Sequence, residues 1–186
     1  MKTVKSIVLF LVAIISFNGF AQQPSLHGFK IKSGIIEYTF NGDFTGSEVY
    51  CFDNFGSFES IQKRIFINSG NNLVSDTKTV ITPVQKITIN MENDSVIATE
   101  SGGAPAIGTA VETQKLLEAG NFKKSGKEMI AGLMCDKYQG DFGKLWIWKG
   151  IVLKSQIKVM NKNIIMTAVR VDTLTPVDKK KFYINN

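Results

Sequence analysis

A chain of 186 residues has room for one domain, or one domain with a short leader, since domains run to about 150 residues each. With 44% hydrophobic and 20% charged residues and only 4 prolines it has the composition of a chain that folds on an apolar core, neither collagen-like nor wholly disordered. A single histidine, His27, and two cysteines, Cys51 and Cys135, are too few for a His-rich metal cluster, a Cys-rich zinc site or a haem-attachment motif, and they leave a Ser-His-Asp arrangement one candidate base. The formal net charge of +6 is spread over scattered lysines, with short runs only at Lys123-Lys124 and Lys179-Lys180-Lys181, so no nucleic-acid partner is expected.

The first 21 residues place Lys2 and Lys5 ahead of the apolar run Ile7 to Ile15 and end on the small residue Ala21, the layout of a secretory signal peptide. The run is shorter than the ~20 residues a spanning helix needs, so no stable membrane span is expected. Cleavage near Ala21 leaves residues 22–186 as one domain, exported and periplasmic or secreted. No cysteine stands at the cut, so acylation there is not expected. His27 falls in the polar lead-in and reads as idle.

From Gly34 onward, short β-branched and aromatic runs alternate with Gly and Asn clusters, the pattern of an antiparallel β protein. In Ile35 to Phe40, Ile36, Tyr38 and Phe40 share one face and Glu37 and Thr39 the other, before a turn at Asn41-Gly42. Further strands are expected at 48–52, 61–67, 86–91, 96–100, 129–138, 144–148, 153–160 and 164–171. Glu92-Asn93-Asp94 and Asn161-Lys162-Asn163 read as hairpin connections. The sequon Asn93-Asp94-Ser95 lies in the first of these and reads as a turn.

One helix is expected from Val111 to Ala119, entered through the Gly-rich stretch Gly102 to Gly108 and stopped by Gly120 at C′. That stretch lacks GxGxxG spacing. Gly120 to Glu128 fails as a phosphate loop, with five intervening residues instead of four and Glu128 where a Ser or Thr would hold magnesium. No cofactor and no metal is indicated.

Cys51 and Cys135 both fall in expected strands, and in an exported chain they are expected to pair as a disulfide, with two buried free thiols as the alternative. Leu145-Trp146-Ile147-Trp148 is apolar on both faces. One face can pack under the helix, and the other could line an apolar cavity or a plain core.

The run Gly34 to Gly42, followed by Gly46 to Gly56, resembles the opening of exported proteins of the lipoprotein-carrier superfamily, the LolA/LolB-like group. The matching positions are Gly34 and Tyr38 of a G-x-x-x-Y strand and Phe52, Asp53, Phe55 and Gly56 of an aromatic-Asp-x-aromatic-Gly motif. Gly132-x-x-Cys135-x-x-Tyr138 is similar to the strand after the helix in such proteins, and the likeness runs on to Phe182. It implies a mainly β fold, an antiparallel unclosed β half-barrel with one helix packed at its concave side, and an apolar concavity that takes up acyl chains. Those carriers hold the helix with an arginine on an early strand. Neither Arg64 nor Arg170 falls there.

The function expected is therefore non-enzymatic: binding of a lipid or other apolar small molecule in the concavity, with Tyr38, Phe40, Trp146 and Trp148 as lining candidates. Two alternatives stand beside it. One is a cell-envelope structural or protein-interaction module with a packed interior, and the other an enzyme with two convergent carboxylates.

Overall fold

The computed structural model describes residues 29–67, 72–101, 110–159 and 161–184. The expected signal peptide, His27 and the Gly102–Gly108 stretch lie outside them. Eleven strands follow in chain order: β1 (Gly34–Gly42), β2 (Phe44–Asp53), β3 (Phe58–Ile67), β4 (Asn72–Ile81), β5 (Gln85–Asn90), β6 (Val96–Ser101), β7 (Lys123–Ile130), β8 (Leu133–Gly140), β9 (Gly143–Trp148), β10 (Ile151–Val159) and β11 (Lys162–Asp172). Among the described residues one α-helix, α1 (Ala110–Ala119), stands between β6 and β7.

All eleven strands form one antiparallel sheet in the order β6-β5-β4-β3-β2-β1-β11-β10-β9-β8-β7. Every pairing except β1 with β11 joins consecutive strands. The consecutive strands β6 and β7 therefore lie at opposite edges, and the sheet does not close. The connection that carries α1 has to run from one edge to the other.

Register shifts leave Val74, Ile97, Ser125, Leu153 and Val169 unpaired as bulges, each of which bends its strand. The resulting curvature is large. Tyr50 on β2 and Leu145 on β9 are separated by four strand spacings, about 19 Å in a flat sheet, yet both line one small cavity beneath Leu116 of α1. The sheet is thus a half-barrel curled around the helix.

The residues that carry the family resemblance have architectural roles. A Cβ at Gly34 would meet the Phe52 ring at 2.9 Å, so the glycine admits that ring. Asn54, Phe55 and Gly56 all have positive φ, and Asp53 Oδ1 accepts from Asn54 N at 2.7 Å to hold the bend. The bend anchors residues 29–32: Phe29 N donates to Phe55 O, Phe55 N donates to Lys32 O, and the Phe29 ring lies edge-on to Phe52.

Three expectations needed correction. The single strand at 129–138 is a hairpin, β7 and β8, turning at Ala131-Gly132, both with positive φ as a type I′ turn demands. Strand β4 was not anticipated. The helix ends in a Schellman motif whose C′ residue is Asn121 (φ 50), not Gly120: Phe122 N donates to Leu117 O and Asn121 N to Glu118 O. Gly120 is needed there because a Cβ would overlap the Phe122 ring.

Candidate functional site

The inward face of α1 carries Thr113, Leu116, Leu117 and Gly120, at helical spacing i, i+3, i+4 and i+7. Leu116 and Leu117 pack with Phe122, Leu145, Val152, Ile157 and Met166 in a cluster distinct from the main core. Beneath Leu116 lies a cavity of about 40 Å³, lined by Tyr38, Glu48, Tyr50, Leu145, Val152, Ser155, Ile157 and Met166. It has room for roughly two or three waters, far less than the ~300 Å³ at which ligand pockets begin.

The wall of this cavity is mixed. Tyr38 lies opposite the small Ala168, and its hydroxyl reaches over β11 to donate to Val152 O at 2.9 Å, beside the Leu153 bulge. Tyr50 OH donates to Glu59 Oε2 at 2.9 Å. Burial pushes both phenols well above their usual range, Glu48 adding to it at Tyr38 and Glu59 at Tyr50, so both stay neutral. Glu48, only 6% exposed, forms an ion pair with Lys63 at 3.0 Å. Thr113, 5% exposed, has a buried hydroxyl oxygen with no hydrogen-bond partner.

Of the four aromatic candidates, Tyr38 lines the cavity. Phe40 is buried on the same face of β1, with the Lys63 ammonium 5.8 Å from its ring centroid, and is not part of the lining. Trp146 and Trp148 point to the face of β9 opposite Leu145. There the Trp146 indole donates to Glu128 Oε2 at 2.7 Å, with the ammoniums of Lys154 and Lys137 at 4.4 and 5.2 Å from its ring centroid. Lys149 lies 4.9 Å from the Trp148 centroid. Both faces of β9 are covered, but only one borders the cavity.

Glu48, Tyr50 and Ser155 were not anticipated as wall residues, nor was the buried Thr113 on the helix beside them. A signal for Glu48 existed: it shares strand parity with Tyr50 and Phe52, which places a carboxylate on a core-facing position. Glu48 and Glu59 do not make a hydrolytic pair. Glu48 lies opposite Lys63, four residues along β3 from Glu59, about 13 Å at strand rise, beyond the ~5 to 9.5 Å such chemistry uses.

The cysteines are free, which corrects the disulfide expectation. Cys51 alternates with Tyr50 and Phe52 and so points away from the main core, toward Lys181 and Lys78. Cys135 belongs to that core. Burial raises both thiols, Cys135 to about 11, which keeps them protonated and unreactive. Among the described residues no three His, Cys, Asp or Glu side chains gather where a metal could be held.

A larger groove of about 470 Å³, lined by Phe142, Lys144, Gln156, Lys158, Asn161 and Asn163 among others, runs over the turn ends of β9 to β11. It is an open groove on the surface. The enclosed site is the one under α1.

No protein-family model matches the chain, and no curated protein matches it. Its fold is similar to solved structures. An uncharacterized conserved protein from Thermus thermophilus aligns at TM-score 0.55 and 10% identity, over 82% of this chain and 85% of that one. The complex structure of Pseudomonas aeruginosa MucA/MucB aligns at 0.50 and 11%, over 82% of this chain and 56% of that one. LprF from Mycobacterium bovis aligns more loosely, at 0.39 and 14%, over 80% and 89%. At these identities the likeness is one of fold.

Proposed function

We propose that this chain is an exported, periplasmic binding protein, not an enzyme, that takes an acyl chain or similar apolar ligand between α1 and the curled sheet. The observation that carries this is the seat itself. A single helix, with its own small cluster, covers an apolar floor of Leu145, Val152, Ile157 and Met166 and leaves a cavity beneath it.

A 40 Å³ cavity admits no acyl chain, so binding requires Leu116 and Leu117 to withdraw. Losing the burial of two leucines costs about 3 to 6 kcal/mol at most, which about four to eight buried methylenes offset at ~0.8 kcal/mol each. The C-terminal end of α1 supplies a pivot. Its Schellman motif, the Asp141 N to Gly120 O bond and the Asn121 to Asp141 side-chain bond tie that end to the β8–β9 turn. Tyr38 and Phe40 share the face that an enlarged seat would open.

A second reading is a cell-envelope protein-interaction module with its interior filled. The small volume of the cavity favours it, as does the fold likeness to MucB, whose solved structure is a complex with MucA.

Native and then denaturing mass spectrometry, on protein purified from a periplasm without detergent, separates the two. The acyl-chain reading expects an adduct of lipid-like mass that disappears on denaturation. Bare protein from a lipid-rich extract would favour the interaction module. The denatured mass also tests export, since removal of the leader makes the chain begin at residue 22.

A further inference from the structure

Apart from the Ser155 hydroxyl, which can donate or accept, the side-chain polar atoms on the wall of the seat offer only acceptors. Tyr38 and Tyr50 have committed their protons to Val152 O and Glu59, so each offers only a lone pair. Glu48 presents a carboxylate already matched by Lys63. On the same face of α1, one turn before Leu116 and just outside the cavity lining, is the buried, unpartnered Thr113 hydroxyl, which the withdrawal of Leu116 would bring to the edge of the seat; such an orphan costs about 1 to 3 kcal/mol when buried.

This wall discriminates by charge. A carboxylate or phosphate head would be placed against Glu48 in a setting dry enough to keep both phenols neutral, and like charges there disfavour each other strongly. An ammonium head would compete with Lys63 for one carboxylate and leave one cation without a counter-ion. An uncharged head with hydroxyl groups donates to the acceptors, accepts from Thr113 and brings no charge into the interior.

Resting on the acyl-chain reading above, we propose that the seat selects acyl ligands with an uncharged, hydroxyl-bearing head of the monoacylglycerol type, held by Glu48 and Thr113. The chain of the ligand then lies along Leu145, Ile157 and Met166.

The test is calorimetric titration of the mature protein with 1-monolauroylglycerol, laurate and dodecylamine, which share one chain length, each below its micellar concentration. Monolauroylglycerol is expected to bind at least about ten-fold more tightly than either charged probe. Glu48→Gln should raise laurate affinity and narrow that gap to about three-fold or less. Thr113→Val should weaken monolauroylglycerol by about five-fold while leaving thermal stability equal or higher, because it removes a buried orphan oxygen. That variant keeps the proposal testable if Glu48→Gln does not fold. Equal binding of all three probes, or tighter binding of laurate, overturns head selection and leaves the acyl-chain reading standing. Binding of none removes both.

Discussion

Leu145 and Trp146 are adjacent in one strand and both almost wholly buried in apolar clusters, but only Trp146 has a charge network added to its packing. Leu145 lies under a helix, against Phe122, Val152, Leu116 and Leu117, beside a small void and a buried ion pair. Trp146 packs into the main core and carries in addition charged side chains from three other strands: Glu128 of β7 at its indole N–H, and Lys137 of β8 and Lys154 of β10 over its ring. Close packing is costly to disturb and indifferent to pH. A half-exposed charge network is weak, screened and titratable. The first kind of cover suits a face that opens only for a ligand that replaces what it displaces, and the second suits a face that stays shut.

Leu145→Ala attacks the packed side and should be the largest single effect, about 2 to 5 kcal/mol from lost burial and an enlarged cavity. Denaturant unfolding measures it, and a loss below about 1 kcal/mol would mean that α1 settles into the space without penalty. Tyr50→Phe, on the same wall, removes the donor to the buried Glu59 carboxyl and should cost about 1 to 3 kcal/mol. A neutral result would show that the remaining partners of Glu59 suffice.

Much of this contrast was legible in the chain, and some of it could not have been. The two apolar faces of Leu145-Trp146-Ile147-Trp148 are visible as a break in alternation, and the helix at 111–119 is visible from its composition and its stop. The alternation of Ile36, Tyr38 and Phe40 gave the first strand. The covers were hidden because they come from afar: Glu128 is 18 residues from Trp146 and meets it only through two hairpins. Strand β4 was hidden for the same reason. Ser75, Asp76, Thr77 and Lys78 at its centre have no local strand signature, and pairing to β3 and β5 on either side is what extends them. At Ala131-Gly132 alanine is a poor turn marker, so one apolar run concealed two strands. Cys51 and Cys135 show the converse error, where two buried positions in strands invited a bridge although β2 and β8 lie five strand spacings apart in the sheet.

The charged side of β9 yields the smallest effect and the one with a pH signature. The Trp146 indole N–H, followed by Lys154 and Lys137, holds the Glu128 carboxyl below its usual range. A depressed carboxyl contributes stability that is present above its unfolded value of about 4.3 and lost as pH falls through the lower folded value. Trp146→Phe keeps a buried ring but removes the donor, so the lost hydrogen bond should appear as a pH-dependent part of the stability difference from the parent. That part is largest above about pH 5 and shrinks as Glu128 protonates. Because Glu128 is 40% exposed, solvent screening keeps this part below about 1 kcal/mol. Asp172, held at about 2 by the backbone N–H and hydroxyl of Thr175, titrates in both proteins and cancels from the difference. Parallel denaturant titrations between pH 6 and 3 would decide it. A difference that does not change with pH would mean that core packing alone holds Trp146, with the charge network adding nothing to it.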